Sequence, residues 1–142
     1  MPPPHVSVLI VDDEPALANT YRMMLEEEGY SVSTCTSYEC GQRHLKEKSY
    51  DAALIEIDLG TSQLGLQLAQ DAKKLRKAPL VILSTGNPTS EHLRKALQLQ
   101  VDYLLLKPSD AEEVTSFLHR GLARRELLKD LARQNASRRS AH

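Results

Sequence analysis

Val6-Ser-Val-Leu-Ile-Val11-Asp12-Asp13-Glu14-Pro15 runs a compact, β-branched segment straight into three acids and a proline. The apolar run reads as a strand. Pro15 reads as the opening of a helix, where its missing N–H costs nothing. Leu17, Met24 and Leu25, with Tyr21 between, recur at helical spacing, and Gly29 stops the helix. The unit is therefore strand, acidic turn, helix.

The same alternation continues along the chain. Ser31–Thr36 reads as strand 2, followed by a helix over about 37–48 with Ser37 or Thr36 as its cap. Asp51–Ile57 is strand 3, apolar enough to be covered on both faces. A third helix is expected over Gly65–Lys77, with Leu68, Ala69, Ala72 and Leu75 on one face. Leu80–Leu83, Ser90–Leu99 and Tyr103–Leu106 give strand 4, helix 4 and strand 5. Ser109-Asp-Ala-Glu112 has the capping-box spacing and opens helix 5. Five strands alternating with five helices predict an α/β fold, a doubly wound parallel sheet with helices on both faces.

Composition narrows the function classes. Of 142 residues, 41% are hydrophobic and 26% charged, a normal globular balance. With no Trp, one Phe and five Tyr, an aromatic platform for nucleic acid or a flavin sandwich is disfavoured. No apolar run approaches a membrane span, and the Met1–His5 start lacks the features of a signal peptide. Two cysteines, Cys35 and Cys40, five apart, cannot make a disulfide framework, so a reducing cytoplasm is the expected compartment. The net charge of −1 hides a division: residues 120–142 hold seven basic and two acidic groups, net +5, and the other 119 hold eleven and seventeen, net −6.

The polar residues of interest gather at strand ends. Asp12 and Asp13 follow strand 1, Glu56 and Asp58 end strand 3, Ser84, Thr85 and Gly86 follow strand 4, and Lys107 and Pro108 follow strand 5. Open parallel sheets bind ligands outside these carboxyl ends. Hard oxygen donors there suit Mg²⁺, and a hydroxyl with an ammonium suits phosphate oxygens.

These residues resemble the receiver domain of two-component response regulators, over about 6–120. Val11-Asp12-Asp13-Glu14-Pro15, Leu25-Glu-Glu-Glu-Gly29-Tyr30, Tyr50-Asp-Ala-Ala-Leu-Ile-Glu56-Ile-Asp-Leu59, Thr85-Gly86 and Asp102-Tyr-Leu-Leu-Leu-Lys107-Pro108 carry the resemblance. It implies a flavodoxin-like (βα)5 fold with strand order 2-1-3-4-5, a signalling module and not an enzyme. It implies Mg²⁺-aided phosphoryl transfer from a sensor histidine kinase or phosphotransfer protein to a carboxylate on strand 3. By position, Asp12, Asp13, Glu56 and Asp58 form the metal side, Thr85 and Lys107 attend the phosphate, and Lys107–Pro108 is a cis peptide. The face of helix 4, strand 5 and helix 5 is expected to meet a partner or a second copy.

The chain departs from the family pattern where the phosphate would attach. Glu56 stands at the phosphoacceptor position instead of Asp, and its extra methylene displaces the carboxylate by roughly 1.3 Å. Leu104 replaces the switching aromatic of strand 5, with Tyr103 expected to face the other side. Gly60 replaces the common proline, and the Gly60–Gly65 loop is one residue longer than the commonest form. Its G-x₄-G spacing lacks the Lys-Ser/Thr of a nucleotide-binding loop. The expectation is a degenerate receiver, an interaction module that works without phosphorylation and binds Mg²⁺ weakly. The alternative is a working acceptor that uses Glu56 or Asp58. Residues 1–5 are a tail, and 121–142 a basic helical extension with no recognisable nucleic-acid-binding motif.

Overall fold

The computed structural model describes residues 6–60, 62–107 and 109–140. The elements alternate in chain order: β1 (Ser7–Val11), α1 (Pro15–Glu27), β2 (Ser31–Cys35), α2 (Tyr38–Glu47), β3 (Ala52–Glu56), α3 (Leu64–Lys73), β4 (Leu80–Thr85), α4 (Ser90–Leu99), β5 (Tyr103–Leu106) and α5 (Ala111–Ser140). All strand pairs are parallel, and the sheet order is β2-β1-β3-β4-β5. The α/β, flavodoxin-like architecture is therefore the expected one.

Every residue of β1, β3 and β4 is buried, because helices cover both faces of the sheet. Alternate strand residues serve two cores. Leu9, Val11, Ile55 and Leu83 pack with Leu66, Leu68, Ala72 and Ala96 of the α3–α4 side. Val8, Ile10, Leu54 and Ile82 pack with Ala18, Leu25, Val114 and Leu118 of the α1–α5 side. Each fully buried Leu or Ile contributes about 1.5–3 kcal/mol relative to exposure. Leu104 joins the first core and Tyr103 the second, where its ring stacks on Phe117 at 4.8 Å, so the two side chains do face opposite ways.

Several predicted boundaries shift. Pro15 opens α1, and Gly29, at φ 100°, ends the turn that hands the chain to β2. α3 stops at Lys73, four residues early, because the chain must turn through 74–79 to enter β4; Leu75 still packs on the core. β4 runs two residues further than expected, so Ser84 and Thr85 are its last residues instead of following it. At α5 the cap is Asp110 and not Ser109: Asp110 Oδ1 accepts the Glu113 N–H at 2.8 Å, while Ser109 Oγ donates to the Leu106 carbonyl at 2.7 Å. Cys35 and Cys40, set aside as a framework, are joined by a disulfide, because the β2–α2 turn brings their Cα atoms to 5.6 Å. The predicted Lys107–Pro108 cis peptide involves Pro108, which lies outside the described residues.

α5 continues unbroken across residue 121 to Ser140. Gly121 lets it lie against the sheet: a Cβ there would stand 2.6 Å from Leu80 Cδ2 and 3.0 Å from Tyr103. Beyond it Leu127, Leu128 and Leu131 are exposed. Among the described residues, no helix is long and apolar enough to cross a membrane.

Candidate functional site

The sheet delivers its polar residues to one edge. Register places Glu56 beside Ser84 and Thr85 beside Leu106, immediately before Lys107. The Lys107 N–H donates to the Thr85 carbonyl at 2.8 Å, which fixes where its side chain starts. The Lys107 ammonium then reaches back across the sheet end. Its Nζ lies 2.7 Å from Asp12 Oδ2 and 2.6 Å from Glu56 Oε2. Ser84 Oγ donates to Glu56 Oε2 at 3.3 Å.

This ion triad is buried: Asp12 is 3% exposed and Glu56 6%. Burial pushes the Glu56 carboxyl above its ordinary range; Lys107 pulls it down, and neighbouring Asp12 adds to the rise. Burial alone would lower the Lys107 ammonium, but its two carboxylate partners outweigh that and raise it. One cation thus serves two carboxylates, leaving a net negative pocket.

The rest of the acidic turn is more open. Asp12 Oδ1 accepts the Glu14 N–H at 2.9 Å, which holds the entry to α1. Asp13 is exposed, and its Oδ2 accepts the Gly60 N–H at 3.0 Å from the β3–α3 loop. Gly60, at φ 69°, adopts the left-handed turn that glycine permits. Carboxylate oxygens of Asp12, Asp13 and Glu14 come within 4.8 Å of one another. This all-oxygen, mostly exposed donor set fits Mg²⁺, which retains several waters. Glu14 stands at the N-cap position of α1, but its side chain makes no capping hydrogen bond and lies with the other acids.

Asp58 turns elsewhere. Its Oδ1 lies 3.8 Å from Nε2 of His92, a residue of α4 that is 3% exposed. Neither His92 ring nitrogen has a hydrogen-bond partner among the described residues. His92 escaped the sequence reading, although its i, i+4 spacing to buried Ala96 put it on the inner face of α4. Thr85 is fully buried, and its Oγ1 accepts the Asn87 N–H at 3.1 Å. Gly65 is pressed to the site's floor: a Cβ there would meet the Glu56 carbonyl oxygen at 1.9 Å. A separate cleft lined by Val6, Tyr50, Arg76, Lys77, Leu122 and Arg125 contains none of these residues.

A sheet of this order, with acids after β1 and a lysine after β5, narrows the family, and sequence comparison decides it. The profile of the Response regulator receiver domain matches residues 8–119. The chain belongs to the response regulator receiver family. Receiver domains are signalling modules of two-component systems, not catalytic enzymes, and they interact with histidine kinases.

Individual relatives agree. The chain is 29% identical over 142 residues to the alginate biosynthesis transcriptional regulatory protein AlgB of Pseudomonas aeruginosa, covering 95% of this chain and 31% of that protein. The match thus spans about a third of the relative's length. A CheY-like receiver domain from Methanospirillum hungatei superposes with a TM-score of 0.82 at 27% identity, covering 86% of this chain and 97% of that one. A Burkholderia pseudomallei response regulator, described with a phosphorylated aspartic acid, a calcium ion and citrate, shares the fold at a TM-score of 0.74 and 21% identity, with 89% of this chain and 74% of that one covered.

Proposed function

We propose that this receiver is degenerate at its phosphoacceptor and works as an interaction module that needs no phosphorylation. The observation that carries the reading is the Lys107 ion pair with Glu56 at 2.6 Å. The resemblance assigns Lys107 to the phosphoryl group and Glu56 to the acceptor position. The longer glutamate places its own carboxylate on that lysine. One carboxylate supplies one negative charge against a phosphoryl group's roughly −1.5 to −2, so the mimicry is partial. It biases the domain toward one state without a kinase.

Asp12, Asp13 and Glu56 remain the proposed metal side, with Glu14 close enough to contribute, while the Asp58 carboxylate turns toward His92 instead. Mg²⁺ bound there would neutralise charge on an incoming phosphate; Asp12 and Asp13 would hold it. Thr85 and Lys107 are the proposed switch residues, and Leu104 replaces the switching ring. Asp58 is less suited as acceptor, since it faces His92 while Lys107 pairs with Asp12 and Glu56. For contact, Leu93 and Leu97 of α4 and Leu106 of β5 are 45%, 78% and 53% exposed, an apolar strip on the α4–β5–α5 face. A partner protein or a second copy of the chain would cover it. The proposed organisation is a body over 6–120 and a basic extension over 121–142.

The native chain is incubated with Mg²⁺ and a small acyl phosphate, and its intact mass is followed. No phosphoryl adduct is expected. A rapid, stable adduct would replace this reading with that of a working acceptor, and peptide mapping would assign Glu56 or Asp58.

A further inference from the structure

β2 ends at Cys35, and α2 starts three residues later at Tyr38. The turn between them lays Cys40 beside Cys35. Cys35 is 2% exposed, whereas Cys40 is half-buried and open to a small reagent. His44, one turn on in α2, completes the cluster. Its Nδ1 lies 2.9 Å from the Cys40 carbonyl oxygen, 3.3 Å from Cys35 Sγ and 3.7 Å from Cys40 Sγ. A carbonyl oxygen only accepts, so Nδ1 carries the hydrogen. Two sulfurs and an imidazole within 4.8 Å are donor types for a thiophilic metal, but a protonated Nδ1 offers no lone pair. The arrangement favours sulfur redox chemistry over metal binding.

We propose that Cys35 and Cys40 form a reversible dithiol–disulfide couple, a modification site for low-molecular-weight disulfides. The Cys40 thiolate attacks one sulfur of the small disulfide, forming a mixed disulfide and expelling one small thiolate. The Cys35 thiolate then attacks the Cys40 sulfur, forming the internal S–S bond and expelling the second. The two small thiolates take up the two protons the cysteines gave up. The protein dithiol is oxidised and one small disulfide is reduced to two thiols. Exposure sets the order: Cys40 meets the reagent and Cys35 resolves.

Closure acts next to the acidic turn. The Cys35 carbonyl accepts the Asp12 N–H at 3.0 Å, so the crosslink is fastened to the exit of β1. The bridged loop holds Ser37, whose Oγ accepts the Cys40 N–H at 3.2 Å, and Tyr38, whose hydroxyl donates to Asp71 of α3 at 2.6 Å. The closed form tightens the first turn of α2 against β1 and α3. This holds whether or not the receiver accepts phosphate.

The full chain is reduced, equilibrated in glutathione buffers of increasing oxidised fraction, alkylated and weighed intact. The expected result is a smooth passage from two alkylated thiols to none, with no lasting glutathione adduct and full reversal by dithiothreitol. Amides of residues 36–40 should exchange several-fold more slowly in the closed form. Cys35→Ser should trap glutathione on Cys40. Because Cys35 is a core residue, Cys40→Ser is the second variant, and in it Cys35 should stay reduced. Thiols that remain alkylatable in the most oxidising buffer would overturn the proposal. So would a lasting adduct on native Cys40, or a crosslink that dithiothreitol does not open in the folded chain. Stoichiometric Zn²⁺ binding by the reduced chain that protects both thiols would assign the cluster to metal instead and overturn it too.

Discussion

Glu56→Asp tests the geometry of the acidic pocket most directly. Removing one methylene draws the carboxylate back by roughly 1.3 Å along its stem. The Lys107–Glu56 contact of 2.6 Å then opens to about 4 Å, while Lys107 keeps Asp12 at 2.7 Å. The ammonium is left with one direct partner and a free side facing the shortened acid, the space a transferred phosphoryl oxygen needs. In-line transfer depends almost wholly on positioning and charge neutralisation. A misplacement of about 1 Å costs on the order of 10²-fold in rate. Glu56→Asp should therefore take phosphate from an acyl-phosphate donor with Mg²⁺ at least about 100-fold faster than the native chain. Intact mass against time measures both rates, and circular dichroism verifies that the variant is folded. Equal rates would refute the argument from side-chain length. A folded but inert variant would show that the pocket is compromised beyond residue 56.

Three other outcomes follow from the same structure. Lys107→Met strands Asp12 and Glu56 as buried, adjacent carboxylates and should cost about 3–5 kcal/mol in urea unfolding at neutral pH. The loss should shrink in acid, because a carboxyl raised in the folded state stabilises below its unfolded range and stops doing so as pH climbs through its folded value. Gly65→Ala drives a Cβ into the Glu56 carbonyl and should destabilise by more than about 3 kcal/mol, whereas Gly121→Ala meets the movable end of Leu80 and should cost about 1–3 kcal/mol; equal denaturation midpoints would contradict this. Burial, aided by Glu28, pushes the Tyr30 hydroxyl from 10.0 up to about 12. Its contribution, up to about 3 kcal/mol, is intact below the lower value and lost as pH rises toward the higher. Tyr30→Phe should reduce that alkaline loss, read by circular dichroism.

Much of this was legible because local and global signals agree. The Val6–Val11 run, Pro15 at the start of α1 and the Ser90–Leu99 helix each fit their own chemistry and the alternating topology. Tyr103 and Leu104 fell on the predicted faces because a strand alternates strictly. What stayed hidden depends on distant partners. β4 runs on through Ser84 and Thr85 because β3 and β5 lie alongside to pair with it, and nothing local announces that. The cap moved from Ser109 to Asp110 because Ser109 found the Leu106 carbonyl instead. The strand ends brought Asp12, Glu56 and Lys107 to one edge in the sequence reading, but the shared ammonium is visible only once the sheet is closed. His92 looked like one more polar residue until α4 packed it inward beside Asp58.

The unbroken α5 has a mechanical consequence. Gly121 presses on Leu80 and Tyr103, and the helix continues nineteen residues beyond it to Ser140. At about 1.5 Å per residue this is an arm of about 28 Å with its fulcrum on the sheet. A tilt of about 5° at that fulcrum carries the tip through about 2.5 Å. A repacking too slight to see at β4 and β5 becomes a displacement as wide as an atom's diameter at the far end, where Arg138 and Arg139 sit. The basic helical extension has the proportions of a pointer, geared to the face of the sheet beneath it.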